Sequence, residues 1–391
     1  SKKYLIKNFN KDFKLHFLKR KNKFREIIRY SFKIIINFHE ILSYSLINRE
    51  VLLKKKVWER YQFEHAVWDS SILNSRDIVI NPSTLTKLKN TLICYLAFLR
   101  AKELTKKYHI ESAFLGHTVY SSRAYILGLR RSNKNIEVIA SACDCLYKLD
   151  KNKDRSSFIF EKKIWQNLIN KQIDFEIKKF KERRVHGISK NIDVSIAAGK
   201  FDRKGEKVIE NQIFLHVFQD SPFNYIDNQR IFADYIEWIS KTIMIIKDSE
   251  EDWNIRLHPS SSRWGEDSKI IINSILDKLN LINLPDNIYL SSRKESNIYI
   301  LNNCKRVLTY SGSVALEASC FGIKPITISE TTCNSFDDKL VHKPKTYIEY
   351  KNLILKSSSS KLFKQTSQEI ETSWQLLFAV EEQISLKTFL N

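Results

Sequence analysis

From residue 84 onward, stretches with apolar residues at helical spacing alternate with short, nearly continuous apolar runs. A helix predicted over 84–107 leads into SAFLG at 112–116, and a second over 121–132 precedes IEVIASA at 136–142. A charged, helical stretch at 150–208 follows. The alternation then resumes with QIFLHVF at 212–218, WNIRLH at 253–258, NIYLS at 287–291, RVLTY at 306–310 and KPITIS at 324–329, with helices predicted over 229–248 and 266–280. Strands that alternate with helices imply parallel sheets, because a parallel pair needs a crossover long enough to hold a helix. The expected fold class is α/β, with two doubly wound units joined by a helical segment.

The first sixty residues follow another pattern. Phe13, Phe17, Phe24, Ile27 and Ile28 recur at roughly helical spacing among lysines and arginines, so residues 11–60 read as basic helices. The apolar runs IIINF at 34–38 and ILSYSLI at 41–47 break off well short of the ~20 residues that span a bilayer. Residues 1–60 hold 17 Lys or Arg against 5 Asp or Glu, more than half of the net charge of +21. Such a field attracts anionic lipid headgroups or nucleic acid without dictating a fold. The arm either packs its apolar side on the body or attaches to an anionic membrane surface.

A chain of 391 residues exceeds one ordinary core, and its 43% apolar content supports two domains of roughly 150 to 200 residues. The six cysteines are scattered with no zinc or disulfide spacing, so reduced thiols in a reducing compartment are expected. The sequence begins at Ser1 without a signal-peptide pattern, and its natural start is expected to have been trimmed.

In open parallel sheets ligands bind beyond the carboxyl ends of strands. Polar residues cluster after four of the predicted strands. In GHTVY, His117 can move a proton near neutral pH and Tyr120 follows one helical turn on; His117 capping a turn is the structural alternative. In HVFQDSPFNY, His216 lies in the strand and Asp220 at its end, where a carboxylate serves as base, nucleophile, hydroxyl-binding group or turn cap. In RLHPSSSRWGED, Arg256, His258, Pro259 and Arg263 stand with three serines, a set of donors suited to phosphate oxygens.

The fourth cluster, YSGSVALEASCFG, reads as a strand end, a sharp turn and a helix closed by Gly322. Only eight glycines occur in the chain, so Gly312 in this turn implies a backbone need. Ser311, Gly312 and Ser313 would hold an anion at the helix N-terminus, and Glu317 could accept from ribose hydroxyls. There is no Walker loop, no G-x-G-x-x-G, no metalloprotease motif and no nucleophile elbow.

His216-x-Phe-x-Asp220, Arg256-x-His258-Pro259, Ser311-Gly312-Ser313-x-x-x-Glu317-Ala and Gly322-x-x-Pro-Ile, in this order, resemble bacterial capsule-polysaccharide biosynthesis glycosyltransferases over roughly residues 110–350. The His-Pro pair with downstream serines is similar to the pattern of Kdo and sialic-acid transferases, although the acidic motif of sialyltransferases is not present.

The resemblance implies the GT-B fold: two Rossmann-like domains facing a cleft, with the basic helical arm outside it. The domain reading is an arm at 1–65, an acceptor domain with helical connection at 66–208, a nucleotide-sugar domain at 209–350, and C-terminal helices at 351–391 that pack back on the first domain. It further implies a nucleotide-sugar donor, CMP-linked acidic sugars such as Kdo or a nonulosonic acid being favoured, and a glycan or lipid-linked glycan acceptor. Arg256, His258, Pro259, Arg263, Ser311, Gly312, Ser313 and Glu317 would hold the donor, with Asp220 or His117 catalytic. No cofactor, metal or nucleic-acid partner is expected, and the location implied is the cytoplasm, peripheral to the inner membrane face. A nucleotide-sugar epimerase or hydrolase of the same fold, or a non-catalytic nucleic-acid or membrane-binding protein, are the alternatives.

Overall fold

The computed structural model describes residues 23–46, 59–75, 82–116, 118–142, 145–148, 162–189, 208–218, 231–232, 235–259, 261, 265–291, 296–329 and 331–383. It is α/β with two separate sheets.

The first unit is dominated by helices α1 (Lys23–Ile36), α2 (Phe38–Ser45), α3 (Glu59–Ser75), α4 (Thr84–Lys107) and α5 (Ser121–Ser132). Ser83 opens α4 by accepting the Thr86 N–H at 3.2 Å, satisfying one of the donors a helix start leaves unpaired. The α4 and α5 backbones approach so closely that a Cβ built on Gly128 would lie 2.4 Å from the Phe98 carbonyl oxygen. The sheet of this unit is small: β1 (Ser112–Leu115) pairs parallel with β2 (Glu137–Ala142), which pairs antiparallel with β3 (Cys145–Lys148). The alternation did not foresee β3. Ala142 pairs with Cys145, two residues separate the strands, and a connection that short suits only an antiparallel partner.

The second unit holds the parallel sheet that the sequence implied. Strands β4 (Asn211–Phe214), β5 (Trp253–Arg256), β6 (Ile288–Leu290), β7 (Arg306–Thr309) and β8 (Ile326–Thr327) stand in the order β6-β5-β4-β7-β8, with every pair parallel. Alternate side chains enter different cores. Ile213, Ile255, Leu308 and Ile326 pack with α8 (Tyr235–Ile246), α9 (Ser268–Lys278) and α13 (Tyr347–Ile354), whereas Phe214 and Val307 pack with α10 (Asn297–Asn303) and α11 (Val314–Cys320). Helices cover both faces, as a doubly wound sheet requires.

At the amino-terminal end of this sheet Arg306 is fully buried between the Trp253 and Phe363 rings. Its guanidinium donates to the carbonyls of Ile354 and Lys356 and pairs with Glu251 at 3.2 Å. Glu251 also accepts the Ser358 N–H at 2.7 Å.

Two boundaries differ from the sequence reading. Helices α6 (Lys162–Ile169) and α7 (Asp174–Val185), drawn into the first domain as its outgoing connection, share a core with α11, α12 (Thr332–Phe336) and α14 (Ser367–Phe378). Phe180 packs edge-on against Trp374 and Phe378 there, and the Trp165 indole donates to Ser335 Oγ at 3.0 Å. The C-terminal helices, expected on the first domain, pack among the described residues with the second unit: α13 through Ile354, α14 through Trp374 and Phe378. The amphipathic α6, α13 and α14 bury their apolar stripes on the nearest uncovered face, which charge composition alone does not reveal.

Candidate functional site

The chain leaves β4 to build β5 and β6 on one side, then returns to place β7 and β8 on the other. Strand order therefore reverses between β4 and β7, and the carboxyl ends of those strands form the crevice where such sheets accept ligands. His216 lies two residues past the end of β4, and the Ser311-Gly312-Ser313 turn follows β7.

These two segments are joined. The Ser311 backbone N–H donates to Nε2 of His216 at 3.2 Å, so a neutral His216 ring carries its proton on Nδ1. The ring stacks on Tyr235, centroids 4.9 Å apart and planes 11° from parallel, and Tyr235 meets Tyr310 edge-on. Burial, and secondarily the neighbouring His258, push the His216 pKa down to about 3. A ring so poised stays uncharged near neutrality, with Nε2 bare, which suits a fixed hydrogen-bond acceptor rather than a proton shuttle.

At Gly312 the constraint is the closeness of neighbouring side chains, not a left-handed φ or the backbone need expected. A Cβ there would stand 2.8 Å from Thr309 Oγ1 and 3.6 Å from His216 Nε2. The Gly312 N–H donates to Thr309 Oγ1 at 3.3 Å, tightening the turn. The Ser311 hydroxyl oxygen is buried without a hydrogen-bond partner among the described residues, and Ser313 is exposed. The N–H groups of Ala315 and Leu316 already bond the Gly312 and Ser313 carbonyls at 3.0 Å, so this short helix presents fewer open donors than the sequence implied.

His258, half-buried, follows β5, and its carbonyl accepts both the N–H and the hydroxyl of Ser261, at 3.2 and 3.0 Å. Pro259 next to it is also half-buried. His216, His258, Ser311 and Gly312 are thus brought to one end of one sheet.

Two other residues have partners of their own. Arg256 is buried, donates from Nη2 to Asn297 Oδ1 at 3.0 Å and lies over the Phe214 ring, pinning α10 to the sheet. Glu317, expected at a ribose, is buried with its carboxylate 3.5 Å from Nη2 of Arg184, whose Nε lies 3.1 Å from Glu381. A carboxylate buried beside a guanidinium is committed to that pair. Tyr120 belongs to the first unit, just before α5, with a φ of 58° and ψ of −141°, a conformation costly for a residue with a side chain. His117, Asp220 and Arg263 lie outside the described residues.

Sequence reasoning missed Tyr235 and Thr309, whose ring and hydroxyl shape the turn. Both sit within predicted elements, where an aromatic and a threonine read as ordinary packing. Among the described residues no group of three or more His, Cys, Asp or Glu side chains is placed to hold a metal ion, and no helix is long and apolar enough to cross a membrane. Cys94, Cys304, Cys320 and Cys333 are buried free thiols, each pKa pushed up by burial.

Fold and site together define the class: an α/β protein whose five-stranded parallel sheet carries imidazoles and a serine turn at its reversal of strand order. No family model matches the chain, and the search of curated proteins found no relative. Among solved structures it is similar to Thermosulfurimonas dismutans KpsC, a beta Kdo 2,4 transferase, at 13% identity and a TM-score of 0.38, covering 67% of this chain and 78% of that one. It is also similar to Methanocaldococcus jannaschii UDP-GlcNAc 2-epimerase in complex with UDP-GlcNAc and UDP, at 13% identity and a TM-score of 0.32, covering 74% and 81% of the two chains.

Proposed function

We propose that the protein is a glycosyltransferase that grips the phosphate end of a nucleotide-activated sugar beyond the carboxyl ends of β4, β5 and β7. The observation that carries this reading is the His216–Ser311 hydrogen bond across the reversal of strand order. It fixes a turn whose Ser311 hydroxyl is buried without a partner among the described residues. An orphaned buried hydroxyl costs about 1–3 kcal/mol, and a phosphate oxygen accepting from it removes that cost.

In the transfer step the bond between the anomeric carbon and the phosphate oxygen breaks while the acceptor oxygen bonds to that carbon. Negative charge grows on the departing phosphate, where donors from Ser311, Ser313 and His258 lower the barrier. Arg256 and Glu317 support the site from behind by holding α10 and α11. We assign removal of the acceptor proton to Asp220 or His117; with retained configuration, Asp220 would instead attack the anomeric carbon.

The His-Pro and serine pattern favours a CMP-linked acidic sugar such as Kdo or a nonulosonic acid. On this reading the two units form a GT-B pair, the acceptor is a capsule or lipopolysaccharide glycan, free or lipid-linked, and the enzyme works in the cytoplasm at the inner membrane face.

Thermal denaturation with CMP, UDP, GDP and dTDP tests the reading. A ligand at a hundredfold excess over its Kd adds about 2.7 kcal/mol, enough for a clear rise in Tm. One nucleotide is expected to raise the Tm of the native chain and to do so less for Ser311→Ala. If none does, the nucleotide-sugar reading fails; if a nucleotide sugar is consumed rapidly without acceptor, an epimerase or hydrolase replaces the transferase.

A further inference from the structure

Helices α1 and α2 are apolar on two sides. The inner side is accounted for: Tyr30, Ile41 and Tyr44 are buried in the core that α4 closes, and the Tyr30 hydroxyl donates to Glu103 at 2.7 Å. Among the described residues the outer side is exposed. Ile28, Phe32, Ile35 and Ile36 follow one another at spacings of four, three and one, which places them along one stripe of α1, and Phe38 and Leu42 continue the exposed apolar series into α2. Phe32 and Ile35 are 72% and 71% exposed. Single exposed apolar residues need no explanation, whereas four along one helix stripe, followed by two more on the next helix, mark an interaction surface.

The charge around this strip identifies its occupant. Arg29 and Lys33 flank it, both well exposed and sharing Glu103 as partner. Residues 1–22, which lead directly into α1, contain eight Lys or Arg and a single acidic residue, Asp12. Protein–protein interfaces are depleted in lysine, and two copies of this strip would bring two cationic leaders together. An aliphatic and phenylalanine stripe bordered by lysines is instead what seats a helix in the headgroup region of an anionic bilayer. We infer that the outer face of α1 and α2 is a docking surface for an anionic lipid bilayer, with Phe32 and Ile35 inserting among the acyl chains and residues 1–22 adding electrostatic attraction. This surface stands whether or not the protein binds a nucleotide sugar.

Co-sedimentation of the full chain with phosphatidylcholine vesicles, with and without phosphatidylglycerol, is the test. Binding is expected to need the anionic lipid and to weaken as salt rises, since surface charge is screened. Phe32→Asp with Ile35→Asp should weaken it by about tenfold or more, a change of about 1.4 kcal/mol or more, with the Tm unchanged because both side chains are exposed. Replacing Lys19, Arg20 and Lys21 by Gln should weaken it independently of that pair.

Vesicle binding untouched by the aspartate pair would overturn the inference and leave only a charged tail. No vesicle binding would overturn it too. So would concentration-dependent dimerisation abolished by the aspartate pair, which makes the occupant a second copy, or hydrogen-exchange protection of α1 that vanishes when residues 1–22 are deleted, which makes it the protein's own leader.

Discussion

His216 and Ser311, 95 residues apart in sequence, meet through a 3.2 Å hydrogen bond from the Ser311 amide to the imidazole Nε2, across the point where strand order reverses. The ring accepts there only while it is neutral, and its pKa is pushed from 6.5 down to about 3 by burial and by His258. In the unfolded chain the same imidazole gains a proton as pH falls through 6.5, while the folded one stays neutral until about 3. The unfolded state therefore binds more protons in this window, and stability falls as pH drops through it. His216→Asn is expected to flatten that part of the stability curve, measured by urea denaturation between pH 7 and pH 4. A slope unchanged in the variant would mean that His216 is not the group responsible. Nucleotide affinity should also fall by about tenfold in the variant, because the turn loses its fixed partner.

Gly312 leads to a prediction about space. A methyl group at this position would sit 2.8 Å from Thr309 Oγ1, inside any normal contact. Gly312→Ala should cost about 1–3 kcal/mol of stability, the usual range for overpacking, and should suppress the nucleotide-induced Tm rise. Since the nearest atom is a side-chain hydroxyl rather than backbone, Thr309→Ala in the same chain should recover part of the loss. A double-mutant cycle measures that coupling, and simple additivity would show that the strain lies elsewhere.

At Gly128 the obstacle is backbone. The Phe98 carbonyl oxygen would lie 2.4 Å from an added Cβ, with Ala101 Cβ at 2.8 Å, and neither can rotate away. Gly128→Ala should therefore lower the Tm by as much as the Gly312 substitution or more, without recovery from neighbouring truncation. A variant as stable as the native chain would mean that α4 and α5 separate easily.

The sequence made the long elements legible because period and length both speak there: α4 and α5 coincide with the helices predicted over 84–107 and 121–132, four strands of the second sheet lie inside predicted runs, and β4 begins one residue before its run. Two short helices were not. Seven-residue α10 and five-residue α12 span too little chain to display a helical period.

At the site, the structure brings His216, His258 and the serine turn to one end of one sheet, with His216 past β4 rather than within it, but residue type and strand position do not say which face a side chain takes. Arg256 sits on the sheet face that α10 covers and bonds Asn297. Glu317 finds Arg184, 133 positions earlier by residue number, in a segment that had been placed in the other domain. Contacts of that separation leave no local pattern.

The Arg184 cluster yields the last prediction. One guanidinium, 3% exposed, faces two buried carboxylates: Glu317 at 3.5 Å and Glu381 at 3.1 Å. Burial holds the Glu381 pKa above its ordinary value of 4.5 despite Arg184 and the Ser189 hydroxyl. The folded protein thus retains a proton that the unfolded chain has released, and this group's contribution to stability falls as pH rises from 4.5 through the folded-state pKa. Glu381→Gln should remove that slope and leave stability at pH 7 unchanged or higher, since Arg184 keeps Glu317 as its counter-charge. Arg184→Gln should do the reverse, leaving two carboxylates buried without a cation at a cost of about 3–5 kcal/mol. In the Arg184→Gln background, adding Glu381→Gln should restore part of the loss, because one of the stranded charges is gone. Denaturant melts of the two single variants and the double variant decide the matter, and equal destabilisation by Glu381→Gln and Arg184→Gln would mean that the cluster is balanced as a strong ion pair rather than overloaded with negative charge.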